Sequence, residues 1–245
     1  MKKTIDVLGV SFIYTTLAEF IAKLCEYANK GEKKFIITAN PEIVMLAREN
    51  EEFRELIQQA DYVSADGIGI VKGAAMLGTP LPERVSGYDT LLGILRTSNE
   101  TKRSIYMLGA KEEVLEQAVV RIRHDYPNVC IAGYHHGFFD WEDDSIIKEI
   151  QETEPDFIFV GLGAPRQEKW IHHHLHMVEK GVFMGVGGSF DGIAGKMKRA
   201  PKIWRNLHLE WLYRLFKQPS RWRRMLALPR FVLEVRKEKR RRKNR

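Results

Sequence analysis

The sequence lacks the features that mark a disulfide-stabilised or membrane-spanning protein. Only two of its 245 residues are cysteines, Cys25 and Cys130; far apart and without a C-x-x-C partner, they predict neither a disulfide framework nor a thiolate metal site. We expect both thiols to be reduced and to lie in the core. No apolar run reaches the roughly 18–20 residues that a membrane-spanning helix needs. Asp6 interrupts the N-terminal apolar stretch, which argues against a signal peptide and predicts a cytoplasmic protein.

Signatures of dinucleotide binding and of metal binding are also missing. The stretches 161–166 and 185–190 each contain part of a G-x-G-x-x-G pattern without its last glycine, and no Walker P-loop occurs, which argues against a nicotinamide-dependent oxidoreductase. No D-x-D pair is present. The histidine run at 172–176 has neither a third ligand nor an HExxH glutamate, so we predict a solvated helix surface there and no metal or other cofactor.

Positive charge is scarce in most of the chain and concentrated at its end. Residues 1–195 contain 20 Lys or Arg against 29 acidic residues, whereas residues 196–245 contain 19 against three. A basic tail on an acidic body predicts a polyanionic partner, which can be an anionic lipid surface, a nucleic acid or a diphosphate substrate.

Apolar, β-branched runs alternate with amphipathic helical stretches through residues 1–195. Strands are predicted at 34–38, 61–65, 104–108, 130–133, 157–160 and 182–186, and helices at 41–60, 68–77, 112–125, 143–152 and 167–180. The alternation predicts a Rossmann-like α/β fold, a mostly parallel sheet with helices on both faces. We predict that residues 1–195 form the catalytic domain and that residues 196–245 form a basic, helical, membrane-associating C-terminal appendage, which Pro219 and Pro229 divide into short helices.

Small and polar residues follow nearly every predicted strand. In open α/β sheets, ligands bind beyond the carboxyl ends of the strands, and glycine lets a ligand approach the backbone closely. Among the glycines in these positions, Gly109, Gly137, Gly163, Gly187 and Gly188 are the candidates for nucleotide binding. Asp66 is the first candidate for a general base, because a carboxylate between a strand and a helix can take a proton from an acceptor hydroxyl. The alternative role for Asp66 is N-cap of the helix that begins near Ile68. Asp191 has the same two interpretations, and we favour a contact with a ribose or sugar hydroxyl.

The appendage combines arginines with aromatic residues. Arg214, Arg221, Arg223 and Arg224 alternate with Trp211, Tyr213, Phe216 and Trp222, a pattern typical of a helix that lies on a membrane surface. Arginine also pairs well with a diphosphate leaving group, which an enzyme without a bound divalent ion must neutralise by other means. We expect the basic run at 239–243 to be solvated and disordered.

The chain resembles the bacterial N-acetylmannosaminyltransferase family of the TagA/WecG/CpsF type, which acts in wall teichoic acid and related surface-glycan synthesis. The resemblance extends from about Asp6 to Met225. The stretches that carry it are Thr38–Glu42, Ala65–Gly67, Arg84–Asp89, Gly161–Trp170, Gly185–Asp191, Arg199–Pro201 and Glu210–Arg214.

The resemblance implies a metal-independent, inverting transferase that moves N-acetylmannosamine from UDP-N-acetylmannosamine to the 4-hydroxyl of N-acetylglucosamine on undecaprenyl diphosphate. It implies that Asp66 is the general base. Further implied roles are sugar and diphosphate contacts for Thr38, Asn40, Arg84 and Gln167, stabilisation of the departing UDP by Arg214, Arg221 and Arg224, and nucleotide binding around Gly137, Gly187 and Asp191. A peripheral location at the inner face of the membrane follows.

Several alternatives remain at this point. A related transferase could use a UDP-hexosaminuronate or UDP-hexose donor. A nucleic-acid-binding protein would explain the basic tail but not the acidic body, and we therefore expect no nucleic-acid partner. A membrane adaptor would leave Asp66 and Gln167 without a role. Self-association into a homo-oligomer stays open.

Overall fold

A computed structural model describes residues 3–196, 201, 204, 210–217 and 222–244 of the chain. Its strands are, in chain order, β1 (Thr4–Val7), β2 (Val10–Ile13), β3 (Lys33–Ala39), β4 (Tyr62–Ala65), β5 (Ser104–Gly109), β6 (Cys130–His135), β7 (Phe157–Gly161) and β8 (Gly181–Gly185). The first two strands form an antiparallel hairpin. The other six form one parallel sheet in the order β4-β3-β8-β7-β5-β6, which confirms the predicted α/β class.

The helices cover both faces of this sheet. They are α1 (Leu17–Asn29), α2 (Pro41–Glu49), α3 (Glu51–Gln58), α4 (Ile68–Met76), α5 (Gly87–Thr101), α6 (Glu112–Asp125), α7 (Ser145–Thr153), α8 (Arg166–His174), α9 (Ser189–Ile193), α10 (Glu210–Lys217), α11 (Trp222–Met225) and α12 (Ala227–Lys243). A short 3₁₀ turn, Leu175–Met177, follows α8.

Alternate residues of each strand contribute to opposite layers of the core, as the period of two along a strand requires. Phe35 and Ile37 of β3 join the layer formed with α2, α3, α4, α7 and α8. Ile36, between them, joins the layer formed with α1, α5, α6 and α9. Because both faces are covered, the inner strands β3, β7 and β8 are almost completely buried, which explains their apolar sequence.

Two predicted helices are shorter than expected. The stretch 41–60 is divided at Asn50, whose side-chain Oδ1 accepts a hydrogen bond from the backbone N–H of Phe53 at 2.8 Å and so caps a new helix, α3. The stretch 167–180 is helical only to His174 and then tightens into the 3₁₀ turn. Our sequence analysis did not predict the β1–β2 hairpin, α1, α5 or α9.

Two expectations about individual side chains were wrong in part. Cys25 is buried, as expected, whereas Cys130 at the start of β6 is exposed. His172, His173 and His176 are exposed, but His174 is buried against the Trp170 ring, and its Nδ1 lies 2.9 Å from the Trp170 carbonyl oxygen. Burial lowers the pKa of His174 below its ordinary value.

The end of the C-terminal segment packs on the α/β body. Helix α12 lies against α2 and α4, and its Phe231 and Val235 are buried in the core layer on that side. Arg48 of α2 forms an ion pair with Glu234 at 2.9 Å, and Arg242 forms one with Asp6 at 3.2 Å. The expectation of a disordered run at 239–243 was therefore wrong, because these residues continue α12.

Pro229 lies in the first turn of α12 and does not divide the helix, since the first turn needs no backbone N–H donor at that position. Pro219 lies outside the described residues. Within the described part of the chain, no helix combines the length and apolar character required to cross a membrane.

Candidate active site

A cavity of about 660 Å³ opens at the carboxyl ends of β3, β4, β7 and β8, the edge of the sheet where the sequence predicted a site. All five residues predicted to act on the sugar and diphosphate line it. They are Thr38, Asn40, Asp66, Arg84 and Gln167. The topology explains this convergence, because β3 lies between β4 and β8, and β8 lies beside β7.

Asp66 directly follows β4 and is half-buried at the cavity wall. Its backbone N–H donates to the carbonyl of Ala39 at 2.9 Å, which holds the turn against the end of β3. The N-cap of α4 is Gly67, at φ +116°, and not Asp66, so the capping interpretation of Asp66 was wrong. This positive φ favours glycine, and it lets the chain turn into α4 while the Asp66 carboxylate stays at the cavity.

Thr38 and Asn40 anchor the adjoining turn after β3. The Thr38 hydroxyl donates to the carbonyl of Gly185 at 2.8 Å, which joins β3 to β8 beneath the cavity. Asn40 is the N-cap of α2, and its side-chain Oδ1 accepts from the backbone N–H of Ile43 at 3.1 Å. Both side chains therefore have fixed orientations at the cavity wall.

Arg84 is held by the start of α5. Its Nη2 lies 2.9 Å from Asp89 Oδ2, which also accepts a hydrogen bond from the Ser86 hydroxyl at 2.6 Å. Ser86 is the N-cap of α5 and accepts in return from the backbone N–H of Asp89 at 3.2 Å. The cap and the ion pair thus share one carboxylate, which orients the planar guanidinium at the cavity edge. The sequence motif contained Ser86 and Asp89, but we assigned them no site role.

Gln167 connects α8 to the turn after β8. It is 3% exposed, its Oε1 accepts from the backbone N–H of Gly187 at 2.9 Å, and its Nε2 donates to Glu168 Oε1 at 2.7 Å. Glu168 is completely buried, and burial raises its pKa to about 7. Sequence reasoning missed Glu168, because the histidines that follow it suggested a solvated helix.

The predicted nucleotide-binding residues fall into two groups. Gly163, Gly187 and Gly188 line the cavity. Gly109, Gly137 and Asp191 lie near the same edge of the sheet. They are not part of the cavity lining that the described residues form. Gly109 packs against the backbone of Gly161 so closely that a Cβ there would lie 2.5 Å from its carbonyl carbon. The Gly137 N–H donates to the Ala110 carbonyl at 2.8 Å.

The C-terminal segment closes one side of the cavity. Trp211 of α10, Met225 of α11, and Ala227 and Leu228 of α12 belong to the lining. Of the predicted leaving-group arginines, Arg221 lies outside the described residues, as do the side chains of Arg214 and Arg224. The helices that contain Arg214 and Arg224 nevertheless border the cavity, since Arg214 follows Trp211 by about one turn and Met225 follows Arg224.

Apolar side chains form another part of the cavity lining, the apolar wall. Ile68 and Val71 of α4 form one part of it, and Met225 and Leu228 form the other. The lining therefore combines side chains suited to charged and hydroxyl groups with side chains suited to hydrocarbon. Among the described residues, no group of three or more His, Cys, Asp or Glu side chains is arranged to hold a metal ion.

Comparisons with known proteins show the family to which the chain belongs. Residues 5–245 match the model of the Glycosyl transferase WecG/TagA/CpsF family. Proteins of Staphylococcus aureus strains MW2, NCTC 8325 and MRSA252 are each 41% identical over 238 residues, which is 96% of this chain and 93% of theirs. Each is named N-acetylglucosaminyldiphosphoundecaprenol N-acetyl-beta-D-mannosaminyltransferase.

Proposed function

The chain belongs to the WecG/TagA/CpsF family of glycosyl transferases, and on that premise we propose that it transfers N-acetylmannosamine from UDP-N-acetylmannosamine to the 4-hydroxyl of N-acetylglucosamine on undecaprenyl diphosphate. The product would carry a β-1,4 linkage and would enter wall teichoic acid synthesis. The observation that carries the proposal is the convergence of Thr38, Asn40, Asp66, Arg84 and Gln167 on one cavity. The names of the relatives favour N-acetylmannosamine over a hexosaminuronate or hexose donor.

Asp66 acts as the general base in this proposal. Its carboxylate takes the proton of the acceptor hydroxyl while the oxygen attacks the anomeric carbon, and the bond from that carbon to the UDP oxygen breaks on the opposite face. Inversion follows from this single displacement. A positioned base of this kind contributes about 10²–10⁴-fold to the rate.

Arginine side chains stabilise the departing UDP. Arg84, oriented by Asp89 at the cavity edge, supports a role on the diphosphate, since a guanidinium pairs bidentately with phosphate oxygens. Arg214, Arg221 and Arg224 complete the set, and the lining contributed by Trp211 and Met225 brings their segment to the cavity. Charge that develops on the leaving phosphate then meets preorganised donors. Gly163, Gly187 and Gly188 of the lining contact the nucleotide, and Gly109, Gly137 and Asp191, near the same edge of the sheet, support its binding site.

The apolar wall accommodates the first isoprene units of the acceptor. A polyprenyl diphosphate is charged at the sugar end and hydrocarbon beyond it, and the lining offers both kinds of surface, with Asp66 and Arg84 for the first and Val71 and Leu228 for the second. The wall is formed partly by the C-terminal segment, so the lipid would leave the site beside the helices that we place on the membrane.

The C-terminal helices attach the protein to the anionic inner face of the membrane. Trp222, Leu226 and Leu233 are exposed, at 54%, 47% and 54%, and the chain around them is rich in Arg and Lys. Exposed apolar anchors beside basic residues are typical of peripheral membrane segments. Because the same segment lines the cavity, docking on lipid completes the active site where the acceptor resides.

The transfer reaction tests the function directly. Purified protein is incubated with UDP-N-acetylmannosamine, UDP-N-acetylglucosamine or a UDP-hexosaminuronate and with a short-chain polyprenyl-diphosphate N-acetylglucosamine, with and without a chelator. We expect a β-1,4 disaccharide from the first donor alone, in both conditions. Asp66→Asn should lower kcat by about 10²–10⁴-fold while UDP binding stays within about twofold. Unchanged turnover of this variant would rule out Asp66 as the base, and Asp143→Asn, an exposed carboxylate outside the cavity, is the matched control.

A second experiment tests the apolar wall. Val71→Asn should raise KM for an acceptor with several isoprene units by about tenfold and leave KM for a water-soluble acceptor with a minimal alkyl chain unchanged. Val232→Asn changes an exposed valine of α12 outside the lining and should affect neither value. An equal effect of Val71→Asn on both acceptors would contradict this placement of the lipid.

A further inference from the structure

Glu168 is a buried acidic residue beside the cavity, and the proposed reaction gives it no part. It lies in the first turn of α8, and its side chain is 0% exposed. Its Oε1 accepts from Gln167 Nε2 at 2.7 Å, whereas Oε2 has no hydrogen-bond partner among the described residues. Such a group costs stability, because a buried polar atom without a partner has lost its hydration. Residues that break a packing rule in this way are concentrated at functional sites.

The effect of Glu168 is to fix the orientation of the Gln167 carboxamide. With Nε2 facing Glu168, Oε1 faces Gly187 and accepts its backbone N–H at 2.9 Å. The opposite orientation would place the amide NH₂ against the N–H of Gly187 and the amide oxygen against the Glu168 oxygen. Both contacts are unfavourable, since donor would face donor and the amide oxygen would face an unprotonated carboxyl oxygen. An acceptor at position 168 therefore selects one of the two orientations.

The selected orientation determines the shape of the turn after β8. Gly187 is at φ +52°, a left-handed conformation that the hydrogen bond from its N–H to Gln167 helps to hold. Gly185 packs tightly on the same carboxamide, because a Cβ there would lie 2.6 Å from Gln167 Nε2. Gln167, Gly187 and Gly188 all line the cavity. A buried residue can thus set the position of cavity backbone without reaching the cavity itself.

We propose that Glu168 is a positioning residue for the transferase: it holds Gln167, and through Gln167 the Gly187–Gly188 turn, in the conformation that binds the UDP portion of the donor. The identity of the donor rests on the proposed function. The hydrogen-bond relay from Glu168 through Gln167 to Gly187 is independent of the proposed function.

Two substitutions separate the acceptor role from packing. Glu168→Met keeps a similar volume and removes the acceptor, whereas Glu168→Gln retains a carbonyl oxygen that can accept from Gln167. In the Met variant we expect the Gly187 amide proton, followed by NMR, to exchange about tenfold faster and KM for UDP-N-acetylmannosamine to rise about tenfold, with kcat within threefold. Both values should stay within about threefold of wild type in the Gln variant. Tyr106→Phe, which removes a buried hydroxyl bonded to Glu149 away from the cavity, should change neither value.

A Met variant with unchanged Gly187 exchange and unchanged KM would overturn the proposal, as would a Gln variant impaired as much as the Met variant. Should the Met variant fail to fold, Glu168→Asp replaces it with the same expectation, because the shorter side chain withdraws the acceptor from Gln167. Wild-type protein that transfers no sugar would refute the proposed function, and Gly187 exchange would still decide the role of Glu168.

Discussion

The Thr38 hydroxyl donates its single proton to the carbonyl of Gly185, 2.8 Å away, at the floor of the cavity. A hydroxyl whose proton is committed in this way can only accept a hydrogen bond from a ligand. Thr38 therefore serves the site by joining β3 to β8 and by offering lone pairs to substrate N–H or O–H groups. The surroundings of Thr38 are tightly packed, since a Cβ on Gly87 would lie 2.8 Å from the hydroxyl oxygen of Thr38.

Thr38→Val should lower the free energy of unfolding by about 1 kcal/mol, because the isosteric side chain no longer donates to Gly185. Thr90→Val is the matched control. The Thr90 hydroxyl donates to the Ser86 carbonyl, which also accepts the backbone N–H of Thr90 at 2.9 Å and so keeps a partner in the variant. Denaturant unfolding measures both changes. An equal loss in the two variants would show that the Thr38–Gly185 hydrogen bond contributes no more to the free energy of unfolding than the Thr90 hydrogen bond does.

The C-terminal helix contributes to the core, which predicts unequal effects for two neighbouring residues. Phe231 is 2% exposed and packs against Gly73 of α4, whereas Leu233 is 54% exposed. Phe231→Ala should lower the free energy of unfolding by about 3–5 kcal/mol, and Leu233→Ala should change it by less than about 0.5 kcal/mol. Chemical denaturation distinguishes the two. A small loss for Phe231→Ala would mean that α12 is not packed on the body.

This packing also determines how membrane binding should be tested. Truncation near Gly195 would remove Phe231 and Val235 from the core. A loss of membrane binding by such a variant would then have two explanations, misfolding and loss of the attachment site. The triple change Trp222→Ser, Leu226→Ser and Leu233→Ser alters exposed side chains alone and should reduce binding to anionic phospholipid vesicles at least tenfold, without a change in thermal stability. Val120→Ser alters a 67% exposed valine on α6 and should bind like wild type. Retained vesicle binding by the triple variant would contradict attachment through these helices.

The sequence was sufficient to predict the parallel sheet and the part of the site that follows strand ends. Asp66 could be placed because the carboxyl ends of parallel strands meet at one edge, whereas the roles of Thr38 and Gln167 were implied by the family resemblance. The packing of α12 could not be predicted, since a basic helix with few apolar residues carries no local signal for the partner of Phe231. The burial of Glu168 and His174 could not be predicted for a related reason. The polar residues of α8 suggested a solvent-exposed helix, whereas tertiary contacts bury these two side chains.

Glu168 makes the stability of the protein depend on pH in a defined direction. Burial raises the folded-state pKa of Glu168 from 4.5 to about 7, so below pH 4.5 the group is neutral in both states and adds no cost of ionisation. Between pH 4.5 and 7 the unfolded chain releases this proton more readily than the folded one, which favours unfolding. The destabilisation grows through this window and levels off above pH 7 at roughly 3 kcal/mol.

Glu168→Gln removes the titration and should therefore stabilise the protein increasingly as pH rises. The difference in the free energy of unfolding between variant and wild type should grow by roughly 2–3 kcal/mol from pH 5 to pH 7.5, because every other titrating group is shared and cancels. Urea unfolding across this range measures it. Glu116→Gln, an exposed position on α6, should give a difference that does not vary with pH. A flat difference for Glu168→Gln as well would mean that the carboxyl group is already ionised in the folded protein at pH 5, which its complete burial without a cationic partner among the described residues argues against.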